Sequence, residues 1–365
     1  MIKNVIKNKF FILFVGFVAL SVTARFSPSY TLNGRLIALA IGIERNNEEY
    51  VVTLEAIKPG KDNAEYQTVK GNGLTVASAL SSIEKESGKK VSLAQCEIIF
   101  LSKELIEKNK IDFMDNEYFK DMPELAVNVV IDKPGEIVGQ KLSEVGVNSF
   151  SLGSSIRENR ENIVMLEVNM KDLGREYLSY LGAVTLPVID LIENDGKLKV
   201  DFNKGYCFNH DSDISLDQSE YLAYLLLNSN NQTGNVEIRL DENTYANVML
   251  NGIDKKKSIK FVDNGYLVEY ELNISFLSNE SFLLHIDDNV ENKKPFDEKA
   301  QDLVEAKLKE SVSALVDKSK KKGLDILHLN ETFYRNYTEI MSKEKNFASK
   351  LDINAEFSFS VNNIK

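Results

Sequence analysis

Tyr266-Leu267-Val268-Glu269-Tyr270-Glu271-Leu272-Asn273-Ile274-Ser275-Phe276 alternates without a break. Tyr266, Val268, Tyr270, Leu272, Ile274 and Phe276 share one face, and Glu269, Glu271, Asn273 and Ser275 share the other. Successive side chains of a strand point to opposite sides, so this segment predicts a strand with one side on a core and one in water. Asp263-Asn264-Gly265 just before it signals a hairpin, because these residues accept the positive φ of a tight turn. Val236–Leu240, Tyr245–Leu250 and Ile259–Val262 read as further strands nearby. Lys255-Lys256-Lys257, between the last two, then reads as a charged hairpin tip, with a membrane-surface contact as the alternative.

Working outward toward the C-terminus, Phe296 to Lys322 forms one long helical pattern, preceded by Pro295 and stopped by Gly323. Ala300, Val304, Leu308, Val312 and Leu315 recur at spacings of three and four, an apolar stripe for packing on a sheet. A second helix is expected near Glu331–Ser342. The chain then ends in a strand in which Leu351, Ile353, Ala355, Phe357, Phe359 and Val361 alternate with mostly polar residues. Strands, a long helix and a returning strand describe an α+β fold with helices on a sheet face.

Toward the N-terminus the pattern alternates strand and helix. Leu36–Ile43 suits a buried strand and Tyr50–Ile57 its hairpin partner, with Gly71-Asn72-Gly73 read as a turn. Thr75 caps a helix bearing Val76, Leu80 and Ile83 on one face, and Gly88 ends it. Cys96–Leu101 reads as a central strand, and Ser102 opens a short helix through Ile106. Leu125–Ile131 is another strand, closed by Pro134. A helix near Met170–Leu181 and a strand near Ala183–Leu191 follow. Glu193–Lys197 is polar, as a linker or hairpin loop would be, and strand Leu198–Phe208 comes next. Ser215 and Gln218 suggest a capping box ahead of the helix carrying Tyr221, Leu222 and Leu225.

Lys3, Lys7 and Lys9 precede an apolar run from Phe10 to Leu20 that continues less purely to Ala24 and stops at Arg25. Positive charge followed by a short apolar stretch is the pattern of an export signal. The run is roughly 15 residues, short of the ~20 that cross a bilayer comfortably. Residues 1–24 are therefore expected to be a signal peptide, cut after Val22-Thr23-Ala24, or a short signal anchor. No cysteine lies near this boundary, which closes the ordinary route to a bacterial lipid anchor.

The whole chain has 365 residues, 43% hydrophobic and 27% charged, an ordinary globular composition with room for two or three cores. Its net charge of −11 argues against nonspecific attraction to DNA, RNA or an anionic membrane surface. Cys96 and Cys207 are far apart and outside any CxxC, so two small buried thiols are expected, with a single bridge left open. His210, His285 and His328 are scattered, with none at a metal-ligand spacing. No nucleophile elbow, Walker loop or dinucleotide fingerprint occurs. His210-Asp211-Ser212-Asp213 is expected to be a turn rich in side-chain-to-backbone hydrogen bonds rather than a cation loop. Asp287-Asp288 is read as solvated loop. No catalytic, cofactor-binding or metal residue is assigned, and the chain is not expected to be an enzyme.

The layout resembles the C subunit of bacterial spore germinant receptors, the Ger(x)C family, from about Leu32 to Val361. Arg35-Leu36-Ile37-Ala38-Leu39-Ala40-Ile41-Gly42-Ile43 is similar to the family's first apolar strand. Gly73-Leu74-Thr75-Val76-Ala77 is similar to the opening of its first helix, and Ile98-Ile99-Phe100-Leu101-Ser102-Lys103-Glu104-Leu105 to its strand-to-helix step. The C-terminal part carries the strongest likeness: a long amphipathic helix leading into Gly323-Leu324-Asp325-Ile326-Leu327, then an aromatic helix and a final alternating strand.

The resemblance implies a non-catalytic subunit of a membrane-associated germinant receptor complex, acting in nutrient-triggered spore germination through protein–protein binding. It further implies A and B subunits as partners and a place on the outer face of the spore inner membrane. The alternative is a general exported envelope or adhesion module without a germination role. The expected architecture is multidomain α+β, with mixed and antiparallel sheets. Its parts are the leader 1–24, an N-terminal α+β domain 30–192, a middle β-rich domain 197–290, and a C-terminal helical segment 291–365 whose final strand shares a sheet with the middle region.

Overall fold

A computed structural model describes residues 34–58, 65–142, 147–158, 166–178, 183–194, 197–228, 233–240, 244–262, 265–277, 282–286, 290–293, 298–329 and 351–362. The leader 1–24, the helix expected at Glu331–Ser342 and the Asp287-Asp288 pair lie outside these residues.

The first half of the chain folds as β1 (Arg35–Asn46), β2 (Glu49–Lys58), β3 (Glu65–Gly73), α1 (Val76–Ser87), β4 (Lys90–Ser92), β5 (Ile98–Ser102) and α2 (Lys103–Asn109). There follow β6 (Val127–Ile131), α3 (Pro134–Ile137), β7 (Lys141–Leu142), β8 (Val147–Asn148), α4 (Ser151–Glu158), α5 (Met170–Leu178), β9 (Val184–Asn194), β10 (Lys197–Phe208) and β11 (Asp213–Leu216). One sheet orders these strands β11-β10-β9-β6-β5-β1-β2-β3, with β4 also beside β1. β1, β5, β6 and β9 run parallel, and the flanking hairpins are antiparallel.

Both faces of this sheet are covered. Leu36, Ala38, Ile41 and Ile43 of β1 pack with Leu80 and Ile83 of α1, Leu105 of α2 and Leu173 of α5. Ala40, Ile98, Phe100 and Val129 meet Ile137 of α3 and Leu152 and Ile156 of α4 on the other side. Leu36 and Ile41 share a face although their spacing is odd. A bulge between Ala38 and Ala40 resets the phase of the strand, as an extra residue in a ladder does.

α1 begins and ends where its caps place it. Thr75 accepts the Ser78 N–H at 3.0 Å, and Gly88 closes the helix at φ 65°. Ser102 likewise accepts the Leu105 N–H at 3.1 Å to open α2. Gly71-Asn72-Gly73 is not the turn that its composition suggests: it completes β3, paired with Val52, Val51 and Tyr50. The reason is tertiary. A Cβ on Gly71 would lie 2.4 Å from the Ala79 carbonyl oxygen, and one on Gly73 2.6 Å from the Ala79 nitrogen. The two glycines let α1 settle directly on the strand.

The second half comprises α6 (Gln218–Asn228), β12 (Gly234–Arg239), β13 (Thr244–Val262), β14 (Gly265–Leu277), β15 (Phe282–Ile286), β16 (Val290–Lys293), α7 (Glu298–Lys322) and β17 (Leu351–Asn362). Its sheet runs β16-β15-β13-β14-β17, with β12 beside β13. β17 lies parallel to β14 along its whole length, so the final strand completes the sheet of the middle region. Val268, Tyr270, Leu272 and Ile274 are buried, as their alternation requires. Across the wet face Lys256 pairs with Glu271 at 3.2 Å and Lys260 with Glu269 at 2.6 Å.

Asn194 of β9 stands opposite Lys197 of β10, so the polar stretch read as a linker or hairpin loop joins two neighbouring strands of the first sheet. The first sheet continues to Leu216, and the second begins at Gly234. Lys255-Lys256-Lys257 is no tip: β13 passes straight through it, paired with Leu272, Glu271 and Tyr270. The register shifts by one residue between Leu250 and Gly252, and the strand continues past this irregularity where the sequence suggested a break. Finally, Ser215 lies in β11, and the capping box belongs to Asp217 and Glu220. Asp217 Oδ1 accepts the Glu220 N–H at 2.9 Å, while Glu220 Oε2 accepts the Asp217 N–H at 2.9 Å.

Candidate functional site

Charge and polarity gather in two places, the joint between the sheets and an open cleft on the first. α6 makes the joint. Residues Glu220 to Leu227 are all buried, and a helix apolar on every side must be enclosed on every side. It lies close to β10, where Gly205 leaves room for the Tyr221 ring, only 2.5 Å from where a Cβ would sit. Cys207, Ile214 and Leu216 of the first sheet share one core with α6, with Val248, Tyr270 and Leu272 of the second, and with Val304, Leu308 and Leu315 of α7.

Both ends of α6 are held by lysines. Lys318 of α7 pairs with the buried Glu220 and also donates to the Ser215 carbonyl at 2.9 Å. Lys255 of β13 donates to the Leu227 carbonyl at 2.7 Å, placing a cation at the negative end of the helix dipole. Burial pulls the Lys255 ammonium down to about 8, and the charge of Lys257 adds to the effect. Lys257 reaches the Leu327 carbonyl at 3.4 Å. Its ammonium is also lowered by burial, with Asp325 acting against that.

Gly323-Leu324-Asp325-Ile326-Leu327, the motif behind the strongest part of the resemblance, forms the other side of this joint. Gly323 ends α7 at φ 67°, and Leu324 to Leu327 are all buried. Asn228 of α6 donates to the Ile326 carbonyl at 3.3 Å, and Asp325 accepts the Leu329 N–H at 3.0 Å. His328 follows at φ 51° and sits beside Glu176 of α5, whose carboxyl burial raises and whose neighbours His328 and Arg175 lower. The motif therefore ties the long helix, the joint helix and the first sheet together.

The cleft, about 800 Å³, is lined by Tyr50, the start of α1, the end of α2 and the hairpin from β10 to β11. Carboxylates Glu107, Asp112, Asp115, Asp211 and Asp213 outnumber Lys108, Lys110 and His210 along it. These groups largely engage one another. Lys110 pairs with Asp213 at 3.2 Å, Tyr177 donates to Asp112 at 2.8 Å, and the His210 ring nitrogen lies 3.1 Å from the Tyr177 carbonyl. Burial, then the Asp112 carboxylate, hold the Tyr177 phenol well above its usual range. Residues 209–212 form the turn that their composition predicts, with Asn209 Oδ1 accepting the Asp211 and Ser212 N–H groups at 2.9 and 2.8 Å.

The three histidines stay on separate elements: His210 in the cleft, His285 on β15 and His328 at the joint. Among the described residues no group of three His, Cys, Asp or Glu side chains could hold a metal ion. Cys96 and Cys207 are buried and free, and burial pushes both thiols up to about 12. No helix among the described residues is long and apolar enough to cross a membrane.

One buried polar group had no sequence signal. Glu55 of β2 accepts the Ser149 hydroxyl and the Phe150 N–H, which fastens the segment before α4 to the first sheet. Burial raises its carboxyl, and these hydrogen bonds act against the rise.

Residues 29–191 match the family model described as the spore germination protein N-terminal domain, and residues 207–365 match the one described as spore germination B3/GerAC like, C-terminal. No curated protein matches the chain. Among solved structures, the crystal structure of the GerBC protein aligns with a TM-score of 0.48 and 13% identity, covering 88% of this chain and 96% of that one.

Proposed function

The chain belongs to the GerAC-like family of spore germination proteins, and from that membership we propose that it serves its germinant receptor as a non-enzymatic docking body held at a membrane. It is a germinant-receptor subunit, and its action is binding. Residues 1–24 supply the membrane attachment, as a short signal anchor or through export to partners that retain the mature chain. Its partners are the A and B subunits of the receptor, on the outer face of the spore inner membrane.

The observation that carries this reading is the pair of family matches, over residues 29–191 and 207–365. The interior supports it as well. The polar side chains at the joint are spent on carbonyls and on one another, an arrangement that fixes two sheets as one body rather than presenting a reactive group.

The test is affinity purification of the tagged full-length chain from the membranes of sporulating cells. Co-purification of A- and B-type receptor proteins in fixed ratio is expected. Recovery of the chain alone, in the soluble fraction or the culture fluid, refutes the reading.

A further inference from the structure

We infer that two copies of this chain pair through the outer edge of β17, antiparallel about a two-fold axis at Phe357, so that their second sheets join into one. β17 is the last strand of its sheet, and among the described residues no strand lies beyond it. It runs for 12 residues beside β14 without a register shift.

An open edge presents a row of backbone donors and acceptors to any passing strand, and proteins protect such edges with shortness, lysines, prolines or bulges. The other edges of this sheet are protected in that way. β12 has 6 residues, among them Glu237 and Arg239, and β16 has 4, among them Glu291 and Lys293. β13 runs past the end of β12 from Asn251 onward, and there it carries Lys255, Lys256, Lys257 and Lys260. β17 has none of these devices. Leu351 to Asn362 contains no lysine, arginine or proline, and its only charges are Asp352 and Glu356. A long, bare edge of this kind is built to be paired, and strand addition is the way such edges bind.

The strand's own sequence fits it to a second copy. Residues directly opposite in an antiparallel pair share a face, so a two-fold pairing must centre on a residue set against its own copy. Two centres leave a single end residue of β17 over. Centring on Glu356 sets that carboxylate against itself, which is destabilising. Centring on Phe357 sets Asp352 opposite Asn362, Asn354 opposite Ser360 and Glu356 opposite Ser358 of the second copy, so each carboxylate meets a neutral donor. At the alternate positions Ile353 stands opposite Val361 and Ala355 opposite Phe359, apolar against apolar. Glu356 and Ser358 are exposed, open to a partner on the wet face of the sheet.

The test uses the full-length chain purified in a neutral detergent, with its mass in solution measured by sedimentation equilibrium. A dimer is expected. Ser358→Glu sets like charges opposite each other twice and should weaken the dimer by about tenfold. Glu356→Lys added to Ser358→Glu restores opposite charges and should restore the dimer, with melting curves confirming that each variant is folded. Register is read by mild oxidation of Glu356→Cys and Ser358→Cys proteins, since Cys96 and Cys207 are buried. The two variants mixed should cross-link, whereas Glu356→Cys alone should not, because its thiols then sit diagonally at about 7–8 Å, beyond disulfide reach. A monomer at every concentration overturns the inference, including the case in which the edge captures a strand of another protein instead. A dimer indifferent to Ser358→Glu, or one that cross-links equally well through Glu356→Cys alone, overturns the assignment to β17. Neither result bears on the receptor reading, which concerns partners absent from this assay.

Discussion

Replacing Gly71 by alanine tests the claim that α1 is seated on bare backbone. The new Cβ would lie 2.4 Å from the Ala79 carbonyl oxygen, 2.5 Å from Ser82 Oγ and 2.6 Å from Ile83 Cγ1. Ordinary contacts for such a carbon begin near ~3.4 Å, so α1 must retreat by roughly 1 Å from β3. Ser82 could rotate aside, but the Ala79 carbonyl is part of the helix ladder and cannot. Overpacking of this kind costs about 1–3 kcal/mol. The retreat also loosens Val76, Ala79, Leu80 and Ile83, the buried face of α1, so the upper half of that range is expected. Urea denaturation read by far-ultraviolet dichroism gives the stability, and amide exchange in α1 and β3 shows where the loss lies. Gly174→Ala in α5 is the control, since nothing lies within 4 Å of its added carbon. It should be neutral or stabilising by up to ~1 kcal/mol through helix propensity. An unchanged midpoint for Gly71→Ala, or equal effects at the two positions, refutes the packing argument.

Asp217→Ala removes the cap of the joint helix and should cost about 1 kcal/mol in the same denaturation assay, whereas Ser215→Ala should cost less. Burial lowers the Lys255 ammonium from its ordinary 10.5 to about 8, so the unfolded chain binds more protons between those values and stability should rise with pH from 8 to 10. Above pH 10 the buried tyrosines, held above their usual range, act in the opposite sense. Lys255→Met should flatten the rise, and a slope identical to wild type counts against the burial of that ammonium. Cys96 and Cys207 should resist a thiol reagent at pH 8 until denaturant is added, when both react, and mass spectrometry should find no bridge between them.

Much of this fold is legible in local pattern. Thr75, Gly88, Ser102 and Gly323 mark helix ends through their own hydrogen bonds and backbone angles, and the alternation of residues 266–276 declares its buried side. What the sequence leaves hidden depends on partners distant along the chain. Gly71-Asn72-Gly73 has the composition of a turn, and only the approach of α1 makes it strand. Lys255 and Lys257 look like solvent residues, yet α6 and the turn after α7 bring carbonyls to them. The capping box shifts from Ser215 to Asp217 because β10 holds Ser215 in a ladder. The odd phase of Leu36 and Ile41 needs a bulge that no single residue announces. The joint follows the same rule. Its helix is visible as an apolar run, but its position between two sheets emerges only when Asn228, Lys255, Lys318 and the 323–329 turn converge on it.

Spore germination itself provides the most direct measurement of the central claim. Spores lacking this chain should lose their response to at least one nutrient germinant while still germinating with a receptor-independent trigger, and the full-length chain should restore the lost response. Deletion spores that answer every nutrient at the wild-type rate would contradict the account.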